Sequence, residues 1–220
     1  MPKSKLIVQA VVSQLFAENT YVAHLEGRTD CVVFDPGFDA DQIIGHLQQR
    51  QLTLAAILNT HGHADHIAGN AALKSQYPDC PLVIGRREAS KLTDPMQNLS
   101  GTYGIALTSP PADRQVQGGD TVEAAGLAFD VRETPGHSSG HVVYLWTGDT
   151  PWLVFGGDML FQGSVGRADF PDSDPGQLIH SIRQQLYTLP DDTIVMPGHG
   201  DPTTIGEEKR YNPFVRGSAW

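Results

Sequence analysis

The stretch Ala56-Ile57-Leu58-Asn59-Thr60-His61-Gly62-His63-Ala64-Asp65-His66 decides how the rest of the chain is read. An apolar β-type run stops, a glycine lets the backbone turn, and three imidazoles and a carboxylate follow within six residues. Three further runs end in similar punctuation. Val131-Arg132-Glu133-Thr134 leads into Pro135-Gly136-His137, Leu153-Val154-Phe155 into Gly156-Gly157-Asp158, and Ile194-Val195-Met196 into Pro197-Gly198-His199. A lone histidine at a turn is ordinarily a polar surface residue. A cluster beside an apolar strand is different, because unpaired polar groups are costly to bury. With these strands in packed sheets and their ends on one side, seven side chains converge on one cleft: His61, His63, Asp65, His66, His137, Asp158 and His199.

Neutral imidazole together with carboxylate suits zinc or iron. Five imidazoles and two carboxylates exceed what one tetrahedral ion uses. Two divalent ions about 3.5–4 Å apart would use all seven and leave a bridging position for water. Zinc stands first among the metals, with iron and manganese as the other choices. The spacing His61-x-His63-x-Asp65-His66 is too tight for one helical face and predicts an extended loop leading into a helix that starts near Ile67.

The surrounding chain is that of a globular protein. At 220 residues one domain over 1–220 is expected, with ample core and no need of a disulfide. The net charge of −10 and the lack of a basic run argue against a nucleic-acid partner. Two cysteines, Cys31 and Cys80, are too few for a disulfide scaffold or a Cys-rich zinc site. No apolar stretch is long enough to span a membrane. Met1–Ala17 has the outline of a secretory leader, but Gln9, Ser13 and Gln14 interrupt its apolar run, and alternation over Lys5–Val12 suits a first strand better. A cytoplasmic protein with reduced thiols follows.

Strands are expected at 6–12, 20–25, 31–34, 54–59, 82–84, 127–133, 141–146, 152–155 and 193–196, and helices at 40–50, 67–77, 86–92 and 177–189. For the last helix Asp174 is the cap, Pro175 the first helical residue, and Gln177 the capping-box partner. Asp94–Gly119, rich in proline, glycine and serine, reads as a long surface loop beside the site. Asp35-Pro36-Gly37 reads as a turn. His24, His46 and His180 are ordinary residues of strands and helices, whereas His141, four positions after His137, is a candidate for orienting a ligand.

His-x-His-x-Asp-His followed by a distant His, Asp and His resembles the signature of the metallo-β-lactamase superfamily, with all seven positions present. The resemblance implies an α+β fold, a four-layer αββα sandwich with the site at the sheet ends. It also implies one metal on His61, His63 and His137, a second on Asp65, His66 and His199, and Asp158 bridging. The finer likeness is to short glyoxalase II-like (hydroxyacylglutathione hydrolase-like) metallohydrolases. It rests on Phe161-Gln162-Gly163-Ser164-Val165-Gly166-Arg167-Ala168-Asp169-Phe170 and on the tail Thr203–Phe214. No cysteine follows His137 where a lactamase would carry one. Full-length glyoxalase II adds a C-terminal helical domain, and only about twenty residues follow His199 here.

The activity expected is hydrolysis of a small-molecule thioester such as S-lactoylglutathione by a metal-bridging hydroxide. Asp158 and Asp65 then act as catalytic carboxylates, and Arg167 grips a substrate carboxylate. Ser138 and Ser139 lack the Gly-x-Ser-x-Gly elbow of a serine hydrolase. Three alternatives stay open. A persulfide dioxygenase would hold one iron on His61, His137 and Asp158. A non-catalytic metal-binding domain would hold its ions without turnover. A nuclease or phosphodiesterase of the same superfamily is disfavoured by the negative charge.

Overall fold

The computed structural model describes residues 5–215. Met1–Ser4, the head of the leader-like stretch, and residues 216–220 of the expected domain lie outside them. Six strands form the first sheet in chain order: β1 Leu6–Val12, β2 Asn19–Leu25, β3 Asp30–Phe34, β4 Thr53–Asn59, β5 Leu82–Gly85 and β6 Arg114–Val116. The pairs β1/β2 and β2/β3 are antiparallel, and β3 through β6 run parallel. The second sheet uses β7 Thr121–Ala124, β8 Leu127–Glu133, β9 Val142–Trp146 and β10 Leu153–Gly157. A small ribbon follows, β11 Leu160–Phe161 with β12 Ser164–Val165, before β13 Ile194–Pro197 and β14 Thr203–Thr204 complete that sheet. Its order is β14-β13-β10-β9-β8-β7, with β10/β13 its one parallel pair among the described residues.

The central strands are buried on both faces, which is why they read as continuous apolar runs rather than alternating ones. Successive residues still point opposite ways. Ala56 and Leu58 face the second sheet, and Ile57 faces the helices. Between the sheets Phe34 stacks on Phe155 at 3.7 Å and meets Phe129 edge-on at 5.2 Å. Helices α1 Ala40–Gln49, α2 Ala64–Ile67 and α3 Asn70–Gln76 accompany the first sheet, placing Ile43, Leu47, Ile67 and Leu73 over its outer face. Helices α4 Pro175–Ser181 and α5 Ile205–Tyr211 cover the second with Leu178 and Ile205. The result is the expected αββα sandwich.

Local departures have tertiary causes. The helix expected over 67–77 begins at Ala64 and breaks at Ala68-Gly69. There the chain presses on the Pro36 backbone so closely that a Cβ on Gly69 would come within 2.8 Å of Gly37 O. The segment 86–92 is a turn and a 3₁₀ helix, Ala89–Thr93. The loop 94–119 contains a 3₁₀ turn, Ser100–Tyr103, and β6. Asp174 accepts from Gln177 N at 2.9 Å as its cap, but the Gln177 side chain turns forward to Ser181 instead of back to the cap. The helix beyond widens into a π turn, Ile182–Leu186. Strand β7 and helix α5 were not expected; Thr204 caps α5 by accepting from Glu207 N.

Candidate metal centre and active-site cleft

All seven candidate ligands come from strand ends on one rim of the sandwich: His61 and His63 after β4, Asp65 and His66 on α2, His137 after β8, Asp158 after β10, and His199 after β13. The tight spacing of the first four is resolved by a change of conformation. His63 is still extended, and Ala64 begins a helical turn that carries Asp65 and His66, correcting the expectation that the helix starts near Ile67.

Two clusters result. His61 Nε2 lies 3.1 Å from His63 Nδ1 and 3.2 Å from His137 Nε2, and the last two atoms are 2.9 Å apart. The tautomers are set from behind. Arg167 O can only accept, so His137 Nδ1 donates to it at 2.7 Å and keeps its lone pair on Nε2. Thr60 Oγ1 donates to Asp35 Oδ2 at 2.7 Å and so accepts from His61 Nδ1, again leaving the lone pair on Nε2. Lone pairs facing each other at this range repel unless a cation lies among them. The centre of the nitrogen triangle (mean side about 3.1 Å divided by √3) is about 1.8 Å from each corner, inside a Zn–N bond of about 2.0–2.1 Å. Burial holds the His61 and His63 imidazoles well below their ordinary pKa, in the neutral form a metal requires.

The second cluster is Asp65, His66 and His199. Asp65 Oδ2 is 3.4 Å from His199 Nε2 and 3.9 Å from His66 Nε2. Asp158 stands between the clusters. Its Oδ1 is 3.4 Å from His66 Nε2, and its Oδ2 is 3.5 Å from His137 Nε2 and 3.6 Å from His199 Nε2. Both His66 Nε2 and Asp158 Oδ1 are buried with no hydrogen-bond partner. Burial pushes the His66 imidazole down, but the Asp158 and Asp65 carboxylates overcome it and lift the group well above its ordinary pKa, so positive charge is favoured at that point. A Cβ on Gly198 would overlap Asp158 Oδ1 and come within 2.6 Å of His66 Cε1, so only glycine lets this strand end approach so closely. Orphaned ligand atoms, facing lone pairs and a glycine-lined cradle fit divalent cations.

Three supporting groups stand behind the ligand positions: Asp35 and the Glu88–Lys91 pair, whose roles come from the fold, and His141, which the sequence already offered. Asp35, expected merely as part of a turn, is 3 % exposed and sits at left-handed φ 46° where β3 ends beside β4. It accepts from Thr60 N and Thr60 Oγ1, both at 2.7 Å, and lies 3.2 Å from His66 Nδ1. Its signal was present: Cys31-Val32-Val33-Phe34-Asp35 ends as the ligand-bearing runs do. Glu88, fully buried, accepts from Gly62 N, Gly140 N and Ser138 Oγ, tying the His61–His63 loop to the His137 loop. Lys91 lies against Glu88 at 3.1 Å, Asp172 at 2.5 Å and the Ser138 hydroxyl. Third, His141 Nε2 accepts from Asp158 N at 3.2 Å, and its ring stacks on His61 at 5.0 Å, as befits an orienting residue.

The clusters form the floor of a cleft of about 330 Å³ walled mainly by apolar side chains. Arg167 lines it, but its fork holds Asp169 at 3.0 Å through both Nε and Nη2, and the guanidinium lies over Phe170 at 4.6 Å. Residues 14–199 match the sequence profile described as the metallo-beta-lactamase superfamily. The chain belongs to the metallo-β-lactamase superfamily.

Relatives in that superfamily span nearly the whole chain. A hydroxyacylglutathione hydrolase named GloC from Haemophilus influenzae is 35% identical, covering 86% of this chain and 89% of its own. A crystal structure of BLEG-1, titled a B3 metallo-β-lactamase, is 37% identical with a TM-score of 0.91, covering 96% of this chain and all of that one. The crystal structure of ETHE1 from Myxococcus xanthus is 32% identical with a TM-score of 0.80, covering 97% of this chain and 86% of that one. The metallo-β-lactamase fold binds divalent metals, and three overlapping groups, His61–His63–His137, His61–His66–Asp158 and Asp65–His66–His199, are where this metallo-hydrolase offers ligands. Among the described residues no helix is long and apolar enough to cross a membrane.

Proposed function

We propose that the protein is a binuclear metallohydrolase of small thioesters, of the glyoxalase II type, with S-lactoylglutathione as the reference substrate. The observation that carries the reading is a carboxylate, Asp158, within 3.4–3.6 Å of ligand nitrogens in both clusters at the floor of a substrate-sized cleft. His61, His63 and His137 would hold one divalent ion, and Asp65, His66 and His199 the other, with Asp158 touching both. Ions bound there would activate water as the nucleophile near neutral pH and would stabilise developing negative charge on the carbonyl oxygen. Zinc is the metal we expect first, ahead of iron and manganese. Asp65, held below its usual carboxyl range by His66 and His199 against the upward push of burial, stays an acceptor able to orient the attacking water. Phe170, edge-on to His63 at 5.1 Å and His137 at 5.7 Å, keeps bulk water from the first cluster. The Arg167–Asp169 pair is solvent-exposed and screened by water, so a substrate carboxylate exchanges for Asp169 at little cost.

The GloC relative supports this reading. Likeness to ETHE1 favours a second one, a mononuclear-iron persulfide dioxygenase on His61, His137 and Asp158. Elemental analysis with a small substrate panel separates them. Two zinc or mixed metals per chain with lactoyl-thioester hydrolysis supports the hydrolase, and Asp158→Ala should then lose about 10³-fold in rate. One iron per chain with sulfite formed from glutathione persulfide supports the dioxygenase. A metal-replete protein inert to thioesters, esters, phosphoesters, persulfide and a β-lactam would be a binding domain only. We read the protein as cytoplasmic, with Cys31 and Cys80 as buried thiols, as one domain, and as working without nucleic acid or membrane.

A further inference from the structure

The cleft wall above the clusters is built in a way that the metal chemistry does not require. Leu99 lines it with its backbone at φ 70°, ψ −7°, a left-handed conformation that costs a leucine strain. The strain is imposed by its neighbours. Asn98 is fully buried, and its side-chain amide donates to Lys91 O at 3.1 Å and Leu107 O at 3.0 Å while accepting from Ser100 N at 3.0 Å and Ser100 Oγ at 2.6 Å. Asn98 O accepts from Ala64 N at 2.9 Å, which fixes this turn to the helix carrying Asp65 and His66. The polar atoms of Asn98 and Ser100 are therefore spent on holding the turn, and what the turn shows the cleft is an isobutyl group.

The rest of the outer wall continues that surface. Tyr103 (67% exposed), Ile105 (43%) and Phe16 (41%), which stacks on Phe38 at 5.3 Å, stand at the mouth. Among the described residues, Arg167 is the one cationic side chain lining the cleft apart from the candidate ligand imidazoles. A glutathione thioester carries two carboxylates. One exchangeable arginine answers one of them, and the net charge of −10 disfavours the other. We propose that the mouth of the cleft binds an apolar arm of the substrate, with Leu99 as a specificity-determining residue that sets its fit, so that medium-chain acyl thioesters are preferred over lactoyl ones. This rests on the thioesterase reading above.

The test uses the metal-loaded protein with lactoyl, butyryl, hexanoyl and octanoyl thioesters of glutathione and of the neutral thiol N-acetylcysteamine. It adds calorimetric binding of the non-hydrolysable thioethers S-methyl- and S-hexylglutathione. Each methylene buried is worth roughly fourfold, so kcat/KM should rise at least tenfold from lactoyl to hexanoyl, and S-hexylglutathione should bind at least tenfold tighter than S-methylglutathione. Leu99→Gly should cut the hexanoyl-to-lactoyl ratio severalfold without lowering the melting temperature, because glycine takes left-handed backbone freely. A flat or inverted chain-length profile with lactoylglutathione turned over overturns the inference and leaves the thioesterase intact. No turnover of any thioester overturns the thioesterase reading, and equal affinity for the two thioethers then overturns the apolar subsite as well. An unchanged ratio in Leu99→Gly, or a lowered melting temperature, removes Leu99 from the specificity role.

Discussion

Replacing Glu88 by Gln tests how the two ligand loops are held in register. Glu88 Oε2 accepts from Gly62 N at 2.8 Å, with Lys91 Nζ at 3.1 Å, and Oε1 accepts from Ser138 Oγ at 2.6 Å and Gly140 N at 2.8 Å. An amide presents an NH₂ where one oxygen was, so a donor faces donors on one side whichever way it turns. Lys91, 4 % exposed, also keeps only Asp172 as its carboxylate partner. Losing one partner of a buried pair costs about 3–5 kcal/mol, and an unsatisfied buried donor about 1–3 kcal/mol. These overlap, and the surviving Asp172 contact offsets part, so about 3 kcal/mol is expected, or a fall in melting temperature of roughly 6–12 °C for a chain of this size. Gly62 lies between His61 and His63, and Ser138 follows His137, so metal affinity should fall about 10–100-fold as for other lost supports of ligands. Urea unfolding and a chelator competition titration read both quantities. A variant within 0.5 kcal/mol in stability and about twofold in metal affinity would refute the idea that this buried network positions the loops.

Asp35→Asn should weaken metal binding about 10–100-fold with little change in the far-ultraviolet spectrum, because an amide cannot both accept from Thr60 N and Thr60 Oγ1 and keep negative charge beside His66; a competition titration checks it. Burial pushes the Asp172 carboxyl up, yet the Lys91 ammonium overrides that and holds it at about 2. A folded pKa below the unfolded value of about 3.9 contributes stability at higher pH. That share should disappear as pH falls from about 4 to about 2, and Asp172→Asn should flatten the loss in acid unfolding curves. Burial pushes both the Cys31 and Cys80 thiols up to about 12, so neither should react with a thiol reagent at pH 8 until the protein is unfolded.

The convergence of the seven candidate side chains was legible because the four apolar runs that lead to them end in glycine turns, and strands of packed sheets end on a common rim. The same rule should have exposed Asp35, but Asp-Pro-Gly is also a turn signature. Its burial follows from β3 lying parallel beside β4, a fact of sheet order. Glu88 and Lys91 had no local signal: their partners are Gly62, Ser138, Gly140 and Asp172, joined only by folding. The break at Gly69 likewise answers to the distant Pro36 backbone. Helix α5 did carry a signal, Thr204 followed three residues later by Glu207, inside a stretch matched to a family tail. The left-handed Leu99 is the hardest case, since leucine has no preference for that conformation and only the buried Asn98 amide imposes it.

The most direct measurement is anomalous diffraction from crystals grown with zinc. Two peaks about 3.5–4 Å apart are predicted, one against His61, His63 and His137 and the other against Asp65, His66 and His199, with the Asp158 carboxylate in contact with both. A single peak, or ions seated away from these strand ends, would contradict the binuclear account.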